Sequence, residues 1–150
     1  MQVRVQENDF EIATELAAIR RNRPQIGAIA CFVGLVRDIS EHSEVSELTL
    51  EHYPGMTEKA LQVIVDQAAQ RWQIIDARVV HRVGRLRPSD QIVLVAVATE
   101  HRGDAFAACE FIIDDLKTRA PFWKREVTPS GARWVEARQA DEQASERWRP

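Results

Sequence analysis

Only two of the 150 residues are cysteine, and neither belongs to a Cys-x-x-Cys pair or a Cys/His cluster. That scarcity excludes a disulfide framework and argues against a cysteine-held metal. Cys31 and Cys109 lie in apolar surroundings, so each reads as a small buried hydrophobe and neither as an exposed thiolate nucleophile. No stretch approaches roughly 18 uncharged apolar residues, and Met1 to Phe10 has no run of signal-peptide type, so a soluble, cytoplasmic chain is expected. A basic surplus is missing too. Twenty Lys and Arg face 23 Asp and Glu, a net charge of −3, whereas a general nucleic-acid binder is usually strongly basic. Any cationic site must therefore be local. Phosphate-binding glycine motifs of the Gly-x-x-x-x-Gly-Lys-Ser/Thr and Gly-x-Gly-x-x-Gly types are absent, as are a Ser/His/Asp set and carboxylates spaced for paired acid–base work.

The apolar residues make up 45% of the chain, enough for one ordinary domain spanning 1–150. Phe10, Ile12, Ala13, Leu16, Ala17 and Ile19 recur at helical spacing over Asp9 to Arg21, with Asp9 as cap and Asn22-Arg23-Pro24 as break. Gly27 to Val36 is apolar on both alternating sets, so a strand covered on both faces is expected, with Gly34 marking a bulge or a close approach. Asp38 to Glu44 reads as a polar loop. A half-exposed strand around Leu48, Leu50 and His52 leads through Pro54-Gly55 to a helix capped by Thr57 and ending near Trp72. Two strands, Asp76 to Val83 and Gln91 to Thr99, flank the Arg87-Pro88-Ser89-Asp90 turn. A helix follows over Ala105 to Arg119. Phe122 to Thr128 and Ala132 to Ala137 then form a hairpin about Pro129-Ser130-Gly131. Residues 137–150 read as a loosely held tail or helix. The order predicts an α+β fold with about three helices and mainly antiparallel pairing.

Cations punctuate the ends of these elements. Phe106, Cys109, Ile112, Ile113 and Leu116 form an apolar stripe, and Lys117 falls about a quarter turn from its centre. There it can bury its stem and hold its ammonium at a cleft rim, or simply satisfy the last carbonyls of the helix. His101 and Arg102 link an apolar strand to a helix start, which suits an anion site or a solvated loop. Arg37 closes another apolar strand. Lys124 and Glu126 share a strand face while Arg125 points away, either as part of a site or as a charged edge. Phe122 and Trp123 line a groove or belong to the core. Three or four charge-assisted hydrogen bonds of about 1.5–3 kcal/mol each would hold a phosphorylated metabolite without a metal.

Five segments together carry a resemblance. They are Phe32-Val-Gly-Leu-Val-Arg37, Leu50-Glu-His-Tyr-Pro-Gly-Met56, His81-Arg-Val-Gly84, His101-Arg102 with Ala105-Phe106, and Asp115-Leu-Lys-Thr-Arg-Ala-Pro-Phe-Trp-Lys-Arg-Glu126, with Gly131 and Trp134 continuing the pattern. The chain resembles the large, catalytic subunit family of molybdopterin synthase from about Gly27 to Ala137. The resemblance implies an α/β-hammerhead fold and a sulfurtransferase of molybdenum cofactor biosynthesis. Such an enzyme converts cyclic pyranopterin monophosphate to molybdopterin with two sulfurs from the C-terminal thiocarboxylate of a small ubiquitin-like carrier subunit. It implies no cofactor and no metal, and a homodimer within a heterotetramer. Position by position, Lys117 and Lys124 would be catalytic. Arg37, His101 and Arg102 would bind the pterin phosphate and ring substituents, with Arg125 and Glu126 nearby. Leu35 and Val36 would offer backbone contacts, and Arg138 is a candidate contribution from the second protomer. Two departures stand out: the Ser40 to Glu44 loop lacks an expected glycine, and Ser89 replaces a usual turn glycine.

Two other readings compete. A non-catalytic module holding a phosphorylated metabolite would share the basic pocket but perform no chemistry. A nucleic-acid binder would need a steep salt dependence that the net charge disfavours.

Overall fold

The computed structural model describes residues 1–135 and 139–150. Its elements run β1 (Gln2–Gln6), α1 (Ile12–Arg20), β2 (Ala28–Leu35), β3 (Ile39–Ser40), β4 (Ser43–Glu44), β5 (Glu47–His52), α2 (Met56–Arg71), β6 (Ile74–Arg82), β7 (Gly84–Leu86), β8 (Gln91–Thr99), α3 (Arg102–Arg119), β9 (Phe122–Thr128), β10 (Gly131–Val135) and α4 (Gln139–Glu146). One sheet has the order β1-β6-β8-β2 and a second the order β10-β9-β5-β7, while β3 and β4 pair alone. All pairings are antiparallel except β1 with β6. The α+β expectation stands. Four helices are described where about three were expected.

Strand β8 organises the core. Val93, Val95 and Val97 face Leu61, Ile64, Ile112 and Leu116 of α2 and α3. The alternate residues Leu94, Ala96 and Ala98 face Phe10 and Ile19 on the α1 side. Strand periodicity sends successive side chains to opposite faces, so this continuous apolar run belongs between two helical layers. Each fully buried Val, Leu or Ile contributes roughly 1.5–3 kcal/mol. Glu15 of α1 is buried and receives Arg78 of β6 at 2.8 Å and Arg4 of β1, which fastens that helix across the parallel pair.

Several local expectations are corrected. Asp9 does not cap α1; Glu11 holds that position, and the Asp9 carboxylate accepts the Phe10 N–H at 2.9 Å and the Gln91 amide at 2.8 Å. Thr57 does not cap α2. Gly55 does, at φ +86°, with the Glu58 carboxylate accepting its N–H at 2.5 Å. Thr57 lies buried inside the first turn, taking the Tyr53 N–H at 2.9 Å and donating to the Pro121 carbonyl at 3.0 Å. Strand β2 is not covered on both faces: it is a sheet edge with Cys31, Phe32 and Leu35 exposed. Cys31 is therefore no buried hydrophobe, whereas Cys109 is. Phe106 leaves the apolar stripe and is 66% exposed.

The loop 38–44 is a short hairpin. Glu41 and His42 take φ of +50° and +66° between β3 and β4, as the two central residues of a primed two-residue turn must. The C-terminal segment is held firmly. Ser145 donates to buried Asp115 at 2.8 Å, and the Trp148 indole donates to Asp114 at 2.7 Å. Arg138 and the end of the strand expected over Ala132 to Ala137 lie outside the described residues.

Candidate functional site

The end of β2, the end of α3 and one face of β9 surround a recess. At Gly34/Leu35 the β2–β8 register slips, a bulge that turns the chain off the sheet. A Cβ at Gly34 would stand 2.9 Å from Val93 Cγ1, so any side chain there would have to displace that buried valine. Beyond the bulge, Val36 closes both backbone groups inside the protein. Its N–H donates to the Asp90 carbonyl at 3.0 Å and its carbonyl accepts the Ser89 N–H at 2.8 Å. The Val36 N–H is thus committed within the protein, its carbonyl already accepts one hydrogen bond, and its side chain forms wall.

Two adjoining lobes make up the recess. The first, about 120 Å³, is polar and includes Val36, Arg37, Ser40 and Glu126 in its lining. The second, about 170 Å³, is more apolar and includes Gly34, His81, Leu116, Thr118 and Phe122. Leu35, Lys117, Lys124 and Asp141 line both, so the two lysines stand where the lobes meet. Lys117 arrives from the last turn of α3, exposed at the edge of its buried face. Lys124 comes from β9, whose alternation sets Phe122, Lys124 and Glu126 on one face and Trp123 and Arg125 on the other.

Glu126 is buried. Arg133 of β10 places Nη2 at 3.2 Å from its carboxylate and at 3.0 Å from the Ser40 carbonyl. One guanidinium thereby joins β9, β10 and the β3–β4 hairpin.

His81 and Asp141 carry no role in the sequence reading. His81 is 5% exposed. Its Nδ1–H donates to the Arg82 carbonyl at 2.8 Å, and its ring stacks on Phe122 at a centroid separation of 3.8 Å. Burial above all holds its pKa down to about 3; the Arg82 carbonyl opposes this, and the charges of Lys124, Lys117 and His52 reinforce it. The imidazole is neutral. The available signal was a histidine in strand phase with the apolar Ala77, Val79 and Val83. Asp141 offered none, since only tertiary packing brings α4 to the recess.

The remaining expected site residues fall elsewhere. His101 and Arg102 are exposed at the opposite end of α3, and His101 Nε2 lies 3.4 Å from Glu100. Fifteen residues of helix separate Arg102 from Lys117, about 22 Å at 1.5 Å per residue. Within one chain the pair does not reach the recess. Arg125 is exposed on the far face of β9. Neither cysteine lines the recess, and burial pushes the Cys109 thiol up to about 12. Among the described residues, no three His, Cys, Asp or Glu side chains gather as a metal site.

The family model for the MoaE protein matches residues 5–119. The chain belongs to the MoaE family. A MoaE relative named molybdopterin synthase catalytic subunit, from Ralstonia nicotianae, is 68% identical over 146 residues, covering 97% of this chain and 83% of the relative. The solved MoaE protein of Burkholderia ambifaria is 58% identical, with a TM-score of 0.84 over 98% of this chain and 97% of its own. A structure titled molybdopterin synthase, from Staphylococcus aureus, is 32% identical, with a TM-score of 0.81 over 88% of this chain and 95% of its own. The MoaE match ends at Arg119, so Lys117 lies inside it, and Lys124 and Glu126 are covered by the longer relatives.

Proposed function

We propose that this chain is the catalytic subunit of a molybdopterin synthase, delivering sulfur from a carrier's C-terminal thiocarboxylate to cyclic pyranopterin monophosphate. The observation that carries this reading is the recess with Lys117 and Lys124 at the junction of a polar and an apolar lobe. The polar lobe, with Arg37 and Glu126, suits the phosphorylated pterin. The more apolar lobe, walled by Gly34, Leu116 and Phe122, suits an extended tail lacking side chains, such as the Gly-Gly end of a ubiquitin-like carrier.

Both reactants are anions. Two like charges 4 Å apart repel by about 4 kcal/mol at an effective dielectric near 20, so a shared site needs fixed positive groups between them. Lys117 stands where the tail would end, and it would stabilise negative charge as sulfur attacks the pterin and as water then cleaves the resulting thioester, leaving the sulfur on the pterin and releasing the carrier as a carboxylate. Lys124 would neutralise the pterin side. Because His101 and Arg102 lie about 22 Å from Lys117 in one chain, they would serve the recess from a second copy, in keeping with a homodimer flanked by two carriers. Arg138, outside the described residues, stays a candidate for the same crossing. No described helix is long and apolar enough to span a membrane, and the proposed reaction places the chain in the cytoplasm.

Mixing the protein with thiocarboxylated carrier and pterin precursor, and following dithiolene product by mass spectrometry, tests the reading. Wild type should form product. Lys117→Ala should fold and bind carrier yet turn over at least about 100-fold more slowly, the scale of losing a preorganised charge. Normal turnover by that variant would remove Lys117 from the chemistry. Binding of both reactants by wild type without product would favour the non-catalytic module.

A further inference from the structure

An acid stands in the wall of a recess read as a site for anions. Glu126 is buried and lines the polar lobe together with Arg37, Lys117 and Lys124, Asp141 being the other acid in that lining. A bare carboxylate there would repel a phosphorylated ligand and offset the cations that attract it. The strands on either side of Glu126 treat it differently. Leu48, its register partner on β5, is apolar and buried. Arg133, its register partner on β10, lies on the same sheet face, as opposed residues of antiparallel strands do. Two nitrogens of Arg133 converge on one carboxylate oxygen: Nη2 donates to Glu126 Oε2 at 3.2 Å and Nε donates to the same oxygen at 3.4 Å. That Nη2 also reaches the Ser40 carbonyl at 3.0 Å, and the exposed Glu41 at the hairpin turn lies 4.0 Å from it. Arg133 itself lines neither lobe.

We propose that Arg133 is a positioning residue that masks the Glu126 carboxylate from the neighbouring strand, so that the polar lobe meets an anionic ligand with a net positive wall. The inference rests on the sulfurtransfer reading above and adds to it a residue outside the recess. Arg133 acts through Glu126 and touches no reactant. Counted with it, the lobe holds four cations, Arg37, Lys117, Lys124 and Arg133, against the two acids Glu126 and Asp141. Its loss would cut that surplus from two to one and would leave a buried acid without its cation. Only 7% of the Glu126 side chain is exposed, so solvent cannot take over the masking. Arginine suits the place because its planar fork serves a carboxylate oxygen and a carbonyl at once, setting the acid and the β3–β4 hairpin in one arrangement. Glu126 and Ser40 line the polar lobe only. The effect should therefore fall on the pterin and spare the carrier tail in the adjoining lobe.

A double-mutant cycle read in KM tests the assignment, because residues acting through one another give non-additive losses. Arg133→Met keeps an extended side chain and removes the charge. It should raise the KM for the pterin precursor by about 10-fold or more, the scale of one unmasked like charge near the ligand. The KM for thiocarboxylated carrier should move less than about two-fold. In a Glu126→Gln background the same change should raise the pterin KM less than about two-fold, because no carboxylate remains to mask. Arg133→Lys, which retains the charge, should recover most of the lost affinity. An unchanged pterin KM in Arg133→Met, an equal rise in both backgrounds, or no recovery in Arg133→Lys overturns the proposal. So does a rise shared equally by pterin and carrier, which is what a merely structural residue would give. If Arg133→Met does not fold, Arg133→Gln takes its place in the same cycle. Failure of wild type to make product would instead sink the sulfurtransfer reading, so the two failures remain distinct.

Discussion

Ser89 occupies the left-handed backbone region at φ +75°, held there because its N–H is committed to the Val36 carbonyl at 2.8 Å. A side chain costs roughly 1–2 kcal/mol in that region, and glycine gives back about 0.5–1 kcal/mol through its freer unfolded state. Ser89→Gly should therefore raise stability by about 0.5–1 kcal/mol, seen as a higher urea midpoint at constant slope. Ser89→Ala should give no such gain. Absence of the usual glycine was readable from the letters alone, and so was the missing glycine of the 40–44 loop. What the letters did not disclose is that Glu41 and His42 tolerate the same backbone strain in a tight hairpin. Cysteine placement shows the same limit. Cys31 and Cys109 look alike in local composition, yet one faces solvent at a sheet edge and the other is packed against β8, where it meets the Val95 carbonyl at 3.7 Å.

Elements with a long, regular apolar pattern were legible: α2, α3, β6, β8 and β9 all appear close to their expected bounds. Four strands escaped: β3 and β4 lay within the expected polar loop, and β1 and β7 had no expected counterpart. Gln2–Gln6 and Gly84–Leu86 are short, and their partners are remote in sequence; β1 pairs in parallel with residues 78–82, a choice no local pattern encodes. Strand β2 was recognised, but its position at the sheet edge was not, since an apolar run does not say how many neighbours it has. Helix α4 misleads in the opposite direction. Its charged sequence suggests a loose tail, whereas Ser145 is 2% exposed and donates to Asp115, which also accepts Arg119 at 2.5 Å. Ser145→Ala would strand a buried carboxylate oxygen at a cost of about 1–3 kcal/mol. The expected result is a melting temperature lower by several degrees, with faster amide exchange concentrated in α4.

At the scale of the molecule, α3 acts as a spacer. The sequence grouped Lys117, Lys124, Arg37 and Glu126, and all four line the recess. It also grouped His101 and Arg102 with them, because adjacency in a motif carries no information about which copy of a chain supplies a residue. If a second copy does supply them, two inactive variants should complement each other. Lys117→Ala and a His101→Ala/Arg102→Ala double variant, each nearly inactive alone, should regain about one quarter of wild-type turnover after subunit exchange. Half of the dimers would then be mixed, and each would hold one intact site of two. No recovery after verified exchange would return the pair to a solvated surface role.

The Arg133 side chain, shared by the Glu126 carboxylate and the Ser40 carbonyl, ties a wall of the recess to the β3–β4 hairpin beside it. Depth and cover of the polar lobe are consequently not independent properties. Any change that loosens the hairpin also frees the acid beneath it, and the opening of the polar lobe would widen and lose its shape together.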